Sequence, residues 1–260
     1  VEVDVKGRHL RRIDQKKALV GDDLSITIDA NLQSFAYEEM KNYKGAIVAL
    51  NPKNGEILTL LSMPAFPSNS ILWKNKDIEK NEDISSSPLF NRATNGLYSP
   101  ASTIKPLLGL LSLQEKKNPY RMMYAGPHFS LPNSERKYRD WKKEGHGYVD
   151  LNKAIVQSCD VYFYQLAYDI GIDKISNFLQ QFFIGQKTGV DMPTEASGIN
   201  PSKEWKKKNI GYSWTHGETV ITGIGQGYML TTPLQMAFFT SIIANKGKVN
   251  RPSLILNKKV

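Results

Sequence analysis

Residues 105–113, Lys105-Pro106-Leu107-Leu108-Gly109-Leu110-Leu111-Ser112-Leu113, are apolar at nearly every position. A surface helix carries an apolar stripe, whereas a helix apolar on all sides needs neighbours on all sides. The stretch therefore predicts a helix enclosed at the centre of a domain. A chain of 260 residues that is 40% apolar is long enough to enclose it. Just ahead stands Ser102-Thr103-Ile104-Lys105. Positions i and i+3 neighbour each other on a helix, so a hydroxyl and an amine would share a face at the helix start. Serine needs a base to become a nucleophile at neutral pH, and lysine becomes one only when burial or a neighbouring charge lowers its pKa. Pro100 and Ala101 can turn the chain into the helix, leaving backbone N–H groups of the first turn for an oxyanion. Alone, Ser-x-x-Lys is a weak signal, common in exposed helices.

The remaining pattern alternates strand and helix signals. The segments 45–50 and 56–63, joined by Asn51-Pro52-Lys53-Asn54-Gly55, form a hairpin pattern with both strands expected to be largely buried. Before it, 24–28 reads as a short strand, and Asp29 as the cap of a helix over 31–41 with Leu32, Phe35, Ala36 and Met40 on one face. Residues 64–95, 117–149 and 184–218 read as loops. Asp150 is expected to cap a helix through Ser158, Asp160 a second ending at Gly171, and a third helix covers 175–183. Thr232-Pro233 opens a last helix to about Ala244. The fold class is α+β, a sheet with a helical subdomain.

Net charge +9 favours anionic surroundings, but the lysines are dispersed (Lys116-Lys117, Lys142-Lys143, Lys206 to Lys208) and mark a solvated surface, not a nucleic-acid site. A single cysteine, Cys159, rules out an intramolecular disulfide. No run approaches the ~18–20 apolar residues of a membrane span. Any anchor or signal is expected outside residues 1–260.

Ser158-Cys159-Asp160 lies where two helices meet and offers a second hydroxyl and a carboxylate to relay protons. Ser-x-x-Lys, a Ser-x-Asn-type triplet and Lys-Thr-Gly together are the signature of penicillin-binding proteins and β-lactamases. The segments 45–52, 56–58, Asn91-Arg92-Ala93, Gly223-Ile224-Gly225-Gln226-Gly227 and Thr232-Pro233-Leu234-Gln235-Met236-Ala237 resemble class B penicillin-binding protein transpeptidase domains. The stretch 139–147, and Asp160 where most relatives carry Asn, resemble the elongation type.

The resemblance implies a penicillin-binding/β-lactamase-like fold with an antiparallel sheet. It makes residues 1–23 the stump of an N-terminal pedestal domain or a linker, and 24–260 the transpeptidase domain. It also implies that Ser102, deprotonated by Lys105, attacks the penultimate D-alanine carbonyl of a peptidoglycan stem peptide. A neighbouring amine then takes over the acyl group, with Ser158 and Asp160 assisting and Gly225, Gln226 and Gly227 at the substrate. No cofactor is required. The implied partners are stem peptides, lipid-linked precursor, β-lactams, a membrane-embedded glycosyltransferase and other elongation proteins, at the periplasmic side of the inner membrane. Lys187-Thr188-Gly189 follows Ser158 too closely to be the family's triplet and reads as a decoy, so the strand bearing the true triplet is expected beyond Val260. A related carboxypeptidase or β-lactamase, or a penicillin-binding sensor or scaffold, are the competing readings.

Cys159, Asp140, His146 and, further upstream, His128 are zinc-ligand types. Four converging would pin the long loop beside the site with a structural zinc. A buried cysteine and a surface histidine are the plain alternative.

Overall fold

The computed structural model describes residues 1–11, 19, 21–66 and 87–256. Residues 12–18 and 20, within the expected stump or linker over 1–23, and much of the loop read over 64–95 fall outside them. The first elements form a small exposed antiparallel ribbon, β1 (Glu2–Val3) and β2 (His9–Arg11). The strand expected at 24–28 reduces to one bridge, Ile26 to Ile255, because its partner is a single short segment near the other end of the described chain. Helix α1 (Ala30–Met40) starts where Asp29 accepts from the N–H groups of Asn31 and Leu32, satisfying donors a helix cannot satisfy internally.

Strands β3 (Gly45–Leu50) and β4 (Ile57–Met63) form the expected antiparallel hairpin, Ile47 opposite Leu61 and Val48 opposite Leu60. Side chains alternate across a strand. Ile47, Leu61 and Met63 therefore meet Ala36 and Met40 of α1, while Val48, Leu50 and Leu60 meet Leu234 and Val190 on the other side. Leu32 and Phe35, expected on the packed face of α1, are exposed; Gln33 faces β4 instead, its amide exchanging two hydrogen bonds with the backbone of Leu60. That interaction covers the outer edge of β4. Strand β3 departs from the expectation of burial: all six residues are half-buried, and β4 is its only strand partner among the described residues.

The helical body is organised around α2 (Lys105–Gln114), preceded by a 3₁₀ turn over Ala101–Ile104. Ile104, Leu107, Leu108 and Leu111 sit in the main core. Enclosure is incomplete, with Leu110 and Leu113 40% and 45% exposed on one face. The loop read over 117–149 contains four three-residue strands, β5 (Met123–Ala125), β6 (His128–Ser130), β7 (Lys137–Arg139) and β8 (Gly147–Val149), pairing as β5 with β8 and β6 with β7. Three residues are too few to show a period in sequence; packing creates these strands.

Then come α3 (Leu151–Val156, capped by Asp150), α4 (Asp160–Ile170) and α5 (Ile172–Gln180), the last starting three residues earlier than expected. The cap of α4 is Cys159, whose sulfur accepts from Tyr162 N–H, not Asp160. Within the loop read over 184–218 lie α6 (Lys203–Asn209) and α7 (His216–Thr222). Both carried start signals: Ser202 caps Trp205 N–H, and Thr215 with Glu218 forms a reciprocal capping box. Helix α8 (Pro233–Ala244) begins at Thr232 with Pro at its first position, as the sequence predicts.

Candidate active site

Ser102 is exposed in the 3₁₀ turn, and its hydroxyl makes no hydrogen bond with the protein among the described residues. The turn is held from two sides. Tyr98 and Thr231 exchange backbone hydrogen bonds of 2.9 and 2.8 Å, and Ala101 N–H donates to Gly225 O at 2.9 Å. Ala101 has φ +48°, a left-handed conformation that non-glycine residues rarely adopt. Gly225 is needed opposite it: its own φ is +69°, and a Cβ there would lie 2.3 Å from Ala101 O. If Ser102 is the acylated serine that the resemblance implies, Gly225→Ala, which pushes the turn away, is expected to slow its acylation by roughly a hundredfold, the loss typical of a displaced reacting group. Stopped-flow acylation with a chromogenic β-lactam measures it.

Lys105, three residues on, is 2% exposed at its side chain. Its Nζ donates to Asp160 Oδ1 at 2.6 Å, to Ser158 O at 2.9 Å and to Ser158 Oγ at 3.1 Å, and lies 5.5 Å from the centre of the Phe163 ring. An ammonium has three protons, and each has an acceptor. Ser158 presents hydroxyl and carbonyl together because it too is left-handed, φ +52°, at the α3–α4 junction. Trp141 Nε1–H shares that carbonyl at 3.1 Å. Lys105, Ser158 and Asp160 thus come together through the start of α2 and the start of α4. Ser102 lies one turn before Lys105, its hydroxyl without a hydrogen bond to any of the three, and Gly225 backs the Ser102 turn. Gln226, exposed, and Gly227, φ +75°, continue the same turn out of α7. Trp141 and Phe163 were missed by sequence reasoning. A lone tryptophan in a loop and one phenylalanine in an aromatic-rich helix carry no signal of contact with a lysine far along the chain.

Lys187-Thr188-Gly189 is built into the structure otherwise. Thr188 N–H and Oγ1 donate to Glu195 Oε1 at 2.8 and 2.6 Å, Gly189 N–H donates to Oε2 at 3.2 Å, and Thr188 is fully buried.

Beside the site, Asp140, His146 and Cys159 are buried with ligand atoms all within 4.8 Å of one another. His146 Nε2 lies 3.0 Å from Asp140 Oδ1, and Cys159 Sγ donates to Asp140 Oδ2 at 3.6 Å. Burial pushes the Cys159 thiol up to about 12. Burial also raises Asp140, but N–H groups of Lys142 and Val161 and the His146 ring outweigh it and hold the carboxyl below its usual range. His128 is not in this cluster: it sits exposed on β6, paired with Arg139, because the β6–β7 ribbon keeps it on a different strand from the loop that carries His146. Sequence reasoning missed Gln157, whose Oε1 lies 3.1 Å from His146 Nδ1.

Residues 45–259 match the penicillin binding protein transpeptidase domain. The chain is 40% identical over 258 residues to peptidoglycan D,D-transpeptidase MrdA of Haemophilus influenzae, covering 98% of this chain and 40% of that protein. Crystallised penicillin-binding protein 2 of Pseudomonas aeruginosa, in complex with WCK 5153, superposes with TM-score 0.84 at 41% identity, covering 90% of this chain and 54% of that one. Helicobacter pylori penicillin-binding protein 2, in its complex with MreC, gives TM-score 0.84 at 36% identity, covering 100% and 48%. The chain spans about two fifths of the length of the curated relatives it matches. With the family model matching most of its length, the chain belongs to the penicillin-binding protein transpeptidase family.

Proposed function

We propose that the domain cross-links peptidoglycan during cell elongation by D,D-transpeptidation through an acyl-enzyme at Ser102. The observation that carries this reading is the buried Lys105 ammonium, bound to both Ser158 and Asp160 within one turn of an exposed, unengaged serine. With its three protons engaged, Lys105 must first pass one on, and Asp160 at 2.6 Å is the nearest acceptor. The neutral amine then takes the Ser102 hydroxyl proton as Oγ attacks the penultimate D-alanine carbonyl. Backbone N–H groups of the first turn would stabilise the oxyanion as it develops. As the C–N bond breaks, a proton routed through Ser158 leaves with the terminal D-alanine. An acceptor stem-peptide amine attacks the ester, gives up a proton, and frees Ser102. Gly225, Gln226 and Gly227 would line the groove that takes the extended donor peptide. β-Lactams would acylate the same oxygen. Intact-mass measurement after incubation with penicillin G tests this: one adduct per chain, located on Ser102 by peptide mapping, is expected. Rapid release of the adduct by water would instead favour the hydrolase reading.

The open edge of β3 supports a further proposal. It borders an apolar groove of about 430 Å³ lined by Val48, Leu50, Thr103 and Met236. A strand carrying Lys-Thr/Ser-Gly would pair with this edge and reach the Ser102 turn through Thr103. Residues 1–23 are proposed as the junction to a pedestal domain. Among the described residues no helix is long and apolar enough to cross a membrane; an anchor elsewhere would hold the domain at the periplasmic face of the inner membrane. There it would meet lipid-linked precursor, a glycosyltransferase and, by analogy with the Helicobacter pylori complex, an MreC-like partner.

No cofactor enters this chemistry. The Asp140–His146–Cys159 triad fits three positions of a tetrahedral zinc site, with Gln157 against the His146 ring, Val161 N–H on Asp140 and Tyr162 N–H on Cys159 to orient the ligands. We infer that zinc bound there would be structural, fastening the loop after β7 to the start of α4. Binding must displace the thiol proton, so affinity rises with pH. Elemental analysis is expected to find one zinc per chain, lost in Cys159→Ser; zinc-free protein that takes up none on addition would end the idea.

A further inference from the structure

A cavity of about 510 Å³ opens between α5, the turn at 184–186, the segment 197–202 and α6. Its walls carry the amides of Asn177, Gln180 and Asn200, the hydroxyls of Ser176 and Ser197, and the ring of Trp205. Most of these polar groups are idle. The side chains of Asn177, Gln180, Ser176 and Ser197 make no hydrogen bond with the protein among the described residues. Asn200 donates through Nδ2 to Ser176 O at 2.9 Å, but its Oδ1 is buried without a partner among the described residues. Buried polar atoms are nearly always paired, and a concave cluster of spare donors and acceptors is what a polar ligand satisfies.

The walls are fixed in advance. The buried amide of Gln235 donates to the carbonyls of Phe183, Gln186 and Ser197 at 3.3, 2.6 and 2.8 Å, clamping two walls together. Gly185, φ +77°, lets them close, since a Cβ there would lie 2.6 Å from the Asn200 side chain. Charge at the cavity is small and acidic: Asp173 at the rim pairs with Lys203 at 2.5 Å, and the exposed Glu204 is the other carboxylate in the lining. Amides, hydroxyls and one aromatic ring in a weakly acidic cavity match a neutral ligand rich in hydroxyl and acetamido groups, and not a phosphate or a peptide carboxylate.

The cavity is connected to the Ser102 turn. Ile199 bridges Leu230, Thr231 bridges Tyr98, and Trp205 lies 5.3 Å from the ring of Tyr228, next to Gly227. Two strand spacings of ~5 Å separate the wall from the nucleophile's loop, a span a few extended residues at ~3.3 Å each can cross. We propose that this cavity binds the N-acetylated amino-sugar backbone of the polymer whose peptide branches react at Ser102. The inference rests on the function proposed above.

The test uses Ser102→Ala protein, which cannot be acylated, titrated calorimetrically with the β-1,4-linked tetrasaccharide of N-acetylglucosamine. Saturable binding is expected, at least tenfold weaker in Asn177→Ala and in Gln180→Ala. Both positions are exposed on α5, and alanine is the strongest helix former, so both variants should melt like the parent. No saturable binding, or equal affinity in parent and variants, overturns the proposal. Penicillin acylation of the unaltered chain is read separately. An adduct without sugar binding overturns the cavity assignment alone; sugar binding without an adduct overturns the function and leaves the ligand class of the cavity supported.

Discussion

Ser102→Ala is expected to abolish the covalent penicillin adduct and to lower cross-linking by at least ~10⁴-fold, since removing the nucleophile of an acyl-serine enzyme costs about as much as removing its whole catalytic set. The fold should be untouched, because the hydroxyl makes no hydrogen bond among the described residues. Its melting temperature should equal the parent's. Fluorescent-penicillin labelling on a gel and a melting curve, run side by side, check both halves. A labelled Ser102→Ala protein would move the nucleophile elsewhere.

Lys105→Ala should behave differently, losing acylation and stability together. It removes the partner of a carboxylate that is 14% exposed and leaves Ser158 O and Oγ facing an empty pocket. Breaking one side of a buried ion pair costs ~3–5 kcal/mol. At ~2–4 °C per kcal/mol for a domain of this size, the midpoint should fall by roughly 10 °C. The double substitution Lys105→Ala/Asp160→Asn removes the stranded charge, so it should recover much of that stability and none of the acylation. Thermal denaturation with acylation kinetics on all three proteins separates the roles. Recovery of acylation in the double variant would show that Lys105 is not the base.

Much of this arrangement was legible in the sequence where a local rule has a strong physical cause. The hairpin over 45–63, the caps Asp29 and Asp150, the start of the last helix at Thr232-Pro233, and the helix after Ser102 each depend on residues within a few positions of one another. Legibility failed where one element forms only because another covers it. The three-residue strands β5 to β8 owe their existence to pairing, and the strand expected at 24–28 is a single bridge because its partner around Ile255 is short. Exposure followed the same division: the α2 pattern implied full enclosure, yet Leu110 and Leu113 stay on a surface, since neighbours are set by the whole fold and not by one helix.

For the site, the sequence by itself determined the chemical types and their order: a serine and lysine one helical turn apart, a second serine with a carboxylate two residues on, and a glycine-rich turn before the last helix. Tertiary structure decided what these groups do to one another. It aimed the Lys105 ammonium at Ser158 and Asp160 rather than at solvent, set Gly225 against Ala101 where no side chain fits, and gathered Asp140, His146 and Cys159 while leaving His128 outside. It also buried Thr188 and tied the backbone of Thr188 and Gly189 to Glu195. Spacing along a chain fixes which residues share a turn, but burial and hydrogen-bond partners arise between segments far apart in sequence, and those set the charge and reach of a side chain.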